Sequence, residues 1–286
     1  MFSIFNYFLS VLRNLASDSQ KEKNGFGISV IIPFRKSRHY PRQGKNFRWI
    51  KKYIKCCLPW AEVISSDDPS RHLPFSKSAA INAGARKATG DILVLLDADG
   101  YVSTDSIRYC AQKIRKALSR NQRLWYVPYR HFFRLTDKAS KRVLKSSPCH
   151  PFQFSFPPHP ADTQPTPGPG YGHWFGALIQ IVPREAFDVC DGWDERFRGW
   201  GGEDHSAMRA TDTMYWPHKT LPGQVLHLWH PMLGSKGPDN WVEYKERLWD
   251  NQPVANSNGN LALRYSRANG DVEKMRKLMD ERYEWS

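Results

Sequence analysis

The stretch Ile92-Leu93-Val94-Leu95-Leu96-Asp97-Ala98-Asp99-Gly100 decides the reading of this 286-residue chain. Five consecutive apolar residues form the signature of a strand buried on both faces of a parallel sheet. Asp97 and Asp99 follow at its carboxyl end, where open α/β sheets place their ligands. Two carboxylates at such an edge repel each other and cost stability unless they bind something. A divalent cation carrying a diphosphate is the natural guest.

Outward from this stretch the same grammar repeats. Ile28-Ser29-Val30-Ile31-Ile32 is a second buried run, stopped by Pro33, and Glu62-Val63-Ile64-Ser65-Ser66 is a further short strand, ending in Asp67-Asp68-Pro69. Between them Trp49, Ile50, Tyr53, Ile54 and Cys57 recur at helical spacing, with Lys51, Lys52 and Lys55 on the other face. Ser78 to Ala88 is Ala-rich and helical, and Gly90 closes it. Strand, helix, strand, helix, strand with buried strands predicts a doubly wound, mostly parallel α/β sheet. After Ser147 comes a Pro-rich loop over 148–172, too long for a passive connector. A strand-like stretch over 175–182, a helix start at Pro183-Arg184-Glu185 and helical pieces at 241–249 and 272–283 follow. The domain reading is an amphipathic segment and linker over 1–24, a catalytic domain over 25–235, and a helical tail over 236–286.

Apolar residues at 40% and charged residues at 24% exclude wholesale disorder, and no run approaches the ~20 apolar residues of a membrane span. The five cysteines are odd in number and lack C-x-x-C spacing, so they read as reduced thiols in a cytoplasmic protein. The net charge of +14 is localised: residues 35–55 carry +9 and residues 105–147 carry +10, leaving −5 elsewhere. Two solvated helix faces would explain this; so would a surface for an anionic membrane or another polyanion. Phe2, Phe5, Phe8, Leu9, Leu12 and Leu15 sit at helical spacing just ahead, which suits a helix lying on a membrane or against the protein.

Two further constellations carry chemistry. In Gly199-Trp200-Gly201-Gly202-Glu203-Asp204 the glycines allow close backbone approach and the indole offers a platform for a sugar ring. The adjacent carboxylates supply an acid/base candidate beside a hydrogen-bonding anchor, or alternatively favour a helix dipole. In His227-Leu228-Trp229-His230 the imidazoles share a face on a helical turn but oppose one another on a strand. Both can bind one metal only if the chain bends before Pro231.

The blocks Val30-Ile31-Ile32-Pro33-Phe34-Arg35, Val63 to Asp68, Asn82-Ala83-Gly84, Ala88 to Asp91 and Leu95 to Asp99 resemble a family-2 glycosyltransferase of the GT-A fold. Phe175-Gly176-Ala177, Gly192-Trp193 and Gly199 to Asp204 resemble the carboxyl half of the β-1,4-galactosyltransferases. The resemblance spans about residues 28–231. It implies that Asp99 and His230 bind a metal, with His227 replacing a thioether ligand, and that Asp97 supports them. It further implies nucleotide-sugar contacts from Pro33, Phe34, Arg35, Asp67, Lys77, Trp174, Gly176, Trp200 and Gly202. Asp204 becomes the general base on the acceptor hydroxyl and Glu203 the acceptor binder, while His205 departs from the acidic residue common there.

The expectation is thus a metal-dependent, inverting hexosyltransferase with Mn²⁺, or Mg²⁺ as second choice. It would take a nucleotide sugar, foremost a UDP-sugar, and a glycan or protein acceptor. The competing expectations are a non-catalytic saccharide- or nucleotide-binding module of the same fold, and a transferase acting on modified nucleic acid. The missing Golgi anchor of animal relatives points to a bacterial or viral cytoplasmic enzyme, peripheral to the membrane if the basic faces engage it.

Overall fold

The computed structural model describes residues 27–37, 41–70, 75–164, 178–199, 201–231 and 258–282. The amphipathic segment 1–24 and the expected helix over 241–249 lie outside the described residues. In chain order the elements are β1 (Ile28–Pro33), α1 (Pro41–Cys57), β2 (Glu62–Ser66), α2 (Lys77–Ala85), β3 (Ile92–Leu96), β4 (Gly100–Val102) and α3 (Thr104–Leu118). They continue with β5 (Tyr126–Val127), β6 (His131–Arg134), α4 (Asp137–Lys145), β7 (Ile179–Pro183), α5 (Arg184–Val189) and α6 (Glu203–Met214). The last are β8 (Lys219–Thr220), β9 (Gln224–His227), α7 (Asn258–Ala268) and α8 (Val272–Asp280).

The main sheet has the order β2-β1-β3-β7-β5-β8. β1 pairs in parallel with both β2 and β3, β7 runs antiparallel to β3 and β5, and β8 is parallel to β5. Five of the six strands therefore share one direction, which is the mostly parallel α/β sheet expected. Every residue of β1, β3 and β7 is buried, as continuous apolar runs require. From β1 the chain crosses outward to β2 through α1, then back past β1 to β3 through α2. Right-handed crossovers in opposite directions put the two helices on opposite faces. The order reverses between β1 and β3, and a crevice opens there at the carboxyl ends of the strands.

Local sequence explains the helices. α1 buries Asn46, Trp49, Ile50, Tyr53 and Ile54, one stripe at helical spacing. α2 starts at Ser76, whose Oγ accepts the Ala79 N–H at 3.2 Å. The Asn82-Ala83-Gly84 block of the resemblance has a packing role. A Cβ on Gly84 would meet Ile31 Cγ2 at 2.5 Å, so only glycine lets α2 sit this close to β1. Asn82 reaches the loop after α5, donating to the Trp193 carbonyl at 2.8 Å and accepting the Trp193 N–H at 2.9 Å.

A second sheet, β4-β9-β6, lies beside the crevice. The Pro-rich segment folds back on it through residue 164. Gln164 N–H donates to the Arg134 carbonyl at 2.8 Å, and the Tyr101 hydroxyl donates to the Phe152 carbonyl at 3.0 Å.

The residues set aside as a tail are packed against the body. α7 and α8 lay Leu261, Tyr265, Ala268, Met275, Leu278 and Met279 against Cys190, Phe197 and Ala210. At the centre of this junction is buried Asp194. It accepts from Arg196 Nη2 at 2.8 Å and from the Tyr265 hydroxyl at 2.9 Å, with Arg282 Nε at 3.6 Å. Burial pushes this carboxyl up, but Arg196 and Arg282 outweigh it and hold it below the usual carboxylate range.

The cysteine expectation is corrected. Cys56 and Cys149 form a disulfide with Cα atoms 5.3 Å apart, while Cys57, Cys110 and Cys190 are free. A separation of 93 residues gives no spacing signal; the bond exists because α1 and α4 lie side by side. The ground for a cytoplasmic placement goes with it, since stable disulfides belong to oxidising compartments. Among the described residues no helix is long and apolar enough to cross a membrane.

Two outcomes are expected. Asp194→Asn should cost about 3–5 kcal/mol in urea unfolding at neutral pH, the penalty for breaking a buried ion pair. A depressed carboxyl stabilises the fold above its unfolded value of about 3.9 and loses that contribution as pH falls through the lower folded value. The gap between variant and parent should therefore narrow in acid. Maleimide labelling of the denatured, unreduced chain should modify Cys57, Cys110 and Cys190 and spare Cys56 and Cys149.

Candidate active site

At the end of β3 the Asp97 N–H donates to the Leu178 carbonyl at 2.8 Å, and the Gly100 N–H returns to the Asp97 carbonyl at 3.0 Å. This turn delivers the chain into β4, where Gly100 lies opposite His227 of β9. The Leu228 N–H then donates to the Asp99 carbonyl at 2.9 Å, pinning the end of β9 beside Asp99. β9 stops at His227 and the chain bends, as a shared metal site demands. The bend is held by Trp229, whose N–H donates to Ser140 Oγ at 2.7 Å and whose carbonyl accepts from Asn46 at 3.1 Å.

The bend brings His227 Nε2 to 3.7 Å and His230 Nε2 to 3.2 Å from Asp99 Oδ2. One ligand atom from each residue lies within 4.8 Å of the others. A carboxylate and two imidazoles fit a borderline divalent ion, Mn²⁺ better than Mg²⁺. Ligating imidazoles must be neutral. Burial pushes His227 down to about 4 against the pull of Asp99. Burial also disfavours the charged form of His230, but its hydrogen bond to Asp99 prevails and raises it. His230 Nδ1 lies 2.8 Å from the Pro231 carbonyl, which fixes Nε2 toward Asp99. Asp99 itself is held low: burial opposes ionisation, and the two histidines and Lys77 outweigh it.

Lys77 joins this group to the Glu203-Asp204 pair. Its Nζ lies 2.8 and 2.9 Å from the two Asp97 oxygens, 3.4 Å from Glu203 Oε1, and 5.5 Å above the Trp193 ring. Burial alone would discharge it, yet Asp97, Glu203 and Asp204 raise its pKa. The pair opens α6. Burial, then the charge of Asp204, pushes Glu203 up to about 7 against Lys77, and Glu203 Oε2 accepts the Gly201 N–H at 3.1 Å. Asp204 goes the other way. Burial raises it, but His205, with backbone N–H at 2.8 Å and Nδ1 at 2.9 Å from Oδ1, holds it ionised. Sequence reasoning gave Asp204 the base; the electrostatics give Glu203 the higher proton affinity.

At the β1 and β2 ends Phe34 stacks on Phe47 with centroids 4.1 Å apart, and its N–H donates to the Ser66 carbonyl at 2.8 Å. Arg35 Nε donates to Asp67 Oδ1 at 2.8 Å, and its guanidinium lies 5.4 Å from the Phe75 ring. Sequence reasoning missed Asp68, which is 1% exposed and accepts from Ser70 and from the Ser76 N–H at 3.1 Å. Its signal was adjacency to Asp67, which does not say which carboxylate turns inward. Trp193 was also missed as a neighbour of Lys77. Pro33 closes β1 as a buried residue. Gly202 has φ +91°, and a Cβ there would meet Ala262 Cβ at 2.9 Å, so its close approach is to α7. Trp174, Gly176 and Trp200 lie outside the described residues. A cavity of about 400 Å³ opens beside the imidazoles, lined also by Arg134, Thr136, Gln164 and Trp229.

Residues 62–123 match the model of glycosyl transferase family 2. The match runs from β2 through α3 and contains Lys77, Asp97 and Asp99. No curated protein matches the chain. Among solved structures, the catalytic domain of Drosophila β1,4-galactosyltransferase 7 is 18% identical with a TM-score of 0.37, covering 69% of this chain and 65% of that one. GalNAc-T7, determined with UDP, GalNAc and Mn²⁺, is 16% identical with a TM-score of 0.39, covering 91% and 55%. Glucosyl-3-phosphoglycerate synthase from Mycobacterium tuberculosis is 13% identical with a TM-score of 0.43, covering 80% and 78%. The chain thus spans under two thirds of the length of the first two.

Isothermal titration should show Mn²⁺ binding to the parent protein, none to Asp99→Ala, and a weaker affinity in His230→Ala than in His227→Ala. Unchanged affinity in all three would remove the triad from metal binding.

Proposed function

We propose that the chain is a metal-dependent, inverting glycosyltransferase moving a hexose or N-acetylhexosamine from a nucleotide sugar, foremost a UDP-sugar, to an acceptor hydroxyl on a glycan or protein. The observation that carries this reading is the pairing of two groups across one buried ammonium. Asp99, His227 and His230 offer ligand atoms within 4.8 Å of one another, close enough to share a cation. Glu203 and Asp204 are adjacent carboxylates suited to acid/base work, and Lys77 lies between the two sets. The family match over β2 to α3 supports it from the sequence side.

A divalent ion held by Asp99, His227 and His230 supplies positive charge for the donor diphosphate. Lys77 adds a fixed cation that needs no reorganisation when the leaving group gains charge. Arg35, Asp67 and Phe34 border the crevice at the switch point and are assigned to the nucleoside. Asp204 is kept ionised by His205, so it can take the proton of the acceptor hydroxyl. That oxygen bonds to the anomeric carbon as the bond from carbon to the diphosphate oxygen breaks, and the configuration inverts. Glu203, whose protonated form is favoured by burial and by the charge of Asp204, is assigned to hydrogen-bond the acceptor and orient it.

The test is donor hydrolysis and transfer with UDP-, GDP- and dTDP-sugars. EDTA should abolish turnover and Mn²⁺ should restore it best; full activity after chelation overturns the metal assignment. Asp204→Asn should lower kcat by about 10²–10⁴ with little change in donor affinity, and Glu203→Gln should chiefly raise the acceptor KM. A larger kcat loss in Glu203→Gln would exchange the two roles. Equal loss of donor binding in both would make the pair structural.

A further inference from the structure

α1 and α4 lie side by side and begin at the same end. Arg42 Nη2 reaches Asp137 at 3.1 Å, Trp49 Nε1 donates to the Ser146 carbonyl at 3.2 Å, and the Cys56–Cys149 bond closes the far end. Each helix turns its apolar stripe inward and leaves a cationic row outside. On α1 the exposed row is Lys45, Arg48, Lys52 and Lys55; on α4 it is Lys138, Lys141 and Lys145. The spacings of three and four residues keep each row on one helix face. α1 has no acidic residue, and the single acid of α4, Asp137, is held by Arg42 and by Lys141 at 2.6 Å. Among the described residues no carboxylate lies within 4 Å of the other six cations.

We infer that this two-helix face docks on an anionic lipid bilayer. Six of its seven cations are lysines, compact charges that respond to the diffuse negative potential of a headgroup layer. Nucleic acid would call for arginine forks and for aromatic side chains within the rows, and the rows hold one arginine and no aromatic residue. A second observation points the same way. Trp60, 36% exposed, follows the last turn of α1, and Ser29 of β1 lies opposite Glu62 of β2. The chain therefore enters β1 beside Trp60, at the far end of the cationic rows. Ahead of that entry the sequence carries Phe2, Phe5, Phe8, Leu9, Leu12 and Leu15. Interfacial tryptophan and an apolar segment of this pattern complement a lysine face at a bilayer. The inference is independent of the glycosyltransferase reading, because it is read by binding alone.

The test is sedimentation of the full chain with vesicles of phosphatidylcholine alone or mixed with phosphatidylglycerol, at low and high salt, with duplex DNA retention in parallel. Binding is expected only to the mixed vesicles and to weaken with salt. Replacing Lys45, Lys52, Lys138 and Lys145 together by Glu should weaken it more than about 100-fold, from roughly fivefold per cation removed. Arg276→Glu with Lys277→Glu on α8 should leave it unchanged. Equal thermal midpoints show that the variants are folded, and the Gln set replaces the Glu set if they are not. No binding by the parent at low salt overturns the inference. So does full binding by the four-fold variant, which would assign attachment to residues 1–16 alone. Retention of duplex DNA as strong as that of the vesicles would make the face a nucleic-acid surface instead.

Discussion

The ammonium of Lys77 is the constraint from which the rest of the site follows. A buried cation is expensive unless carboxylates surround it. Here they come from separate parts of the chain: Asp97 from the end of β3, Glu203 and Asp204 from the start of α6. Lys77 itself opens α2, held there by the Ser76 cap, whose hydroxyl also donates to the Phe197 carbonyl at 2.9 Å. One charge therefore fixes the distance between the strand that leads to Asp99 and the helix that carries Glu203 and Asp204. Without it three carboxylates would face one another in a poorly hydrated crevice and drive the two elements apart.

Around that charge the fold works as a set of props. Asn82, one turn along α2 from Lys77, grips the backbone of Trp193 from both sides, and the Trp193 ring lies against the ammonium. Arg184 ties the turn between α2 and β3 to the start of α5 through the Ala88 carbonyl at 2.7 Å and the Gly90 carbonyl at 3.0 Å. None of these side chains needs to meet a ligand. They are positioning residues that hold the elements around Lys77.

The strands and the position of the acidic pair were legible in the sequence because burial on both faces leaves an unbroken apolar run, as in Ile92 to Leu96. The histidines were legible as a conditional statement. Whether His227 and His230 meet depends on the bend at Trp229, and that bend is made by Ser140 and Asn46, each more than 80 residues away in sequence. The roles within Glu203-Asp204 were not legible, because neighbours with like side chains differ only in what surrounds them. His205 adjoins one, and Lys77 with the Gly201 N–H adjoins the other. The disulfide and the packing of α7 and α8 escaped for the same reason: both depend on contacts between distant segments, which periodicity does not record.

The grip of α7 on the approach to α6 bears on how the protein is made. Asn258 donates to the Arg198 carbonyl at 2.8 Å, and Ala262 fills the space that a side chain on residue 202 would take. Residues 258–282 leave the ribosome after every residue of the candidate site, so the crevice emerges before the support behind Glu203 and Asp204. Synthesis proceeds at about 5–20 residues per second, which gives the sheet seconds to form while Glu203 and Asp204 still lack their backing. A nascent chain halted before α7 would carry Asp99, His227 and His230 with the carboxylate pair unbraced. The fold thereby makes the bracing of Glu203 and Asp204 wait on the synthesis of α7.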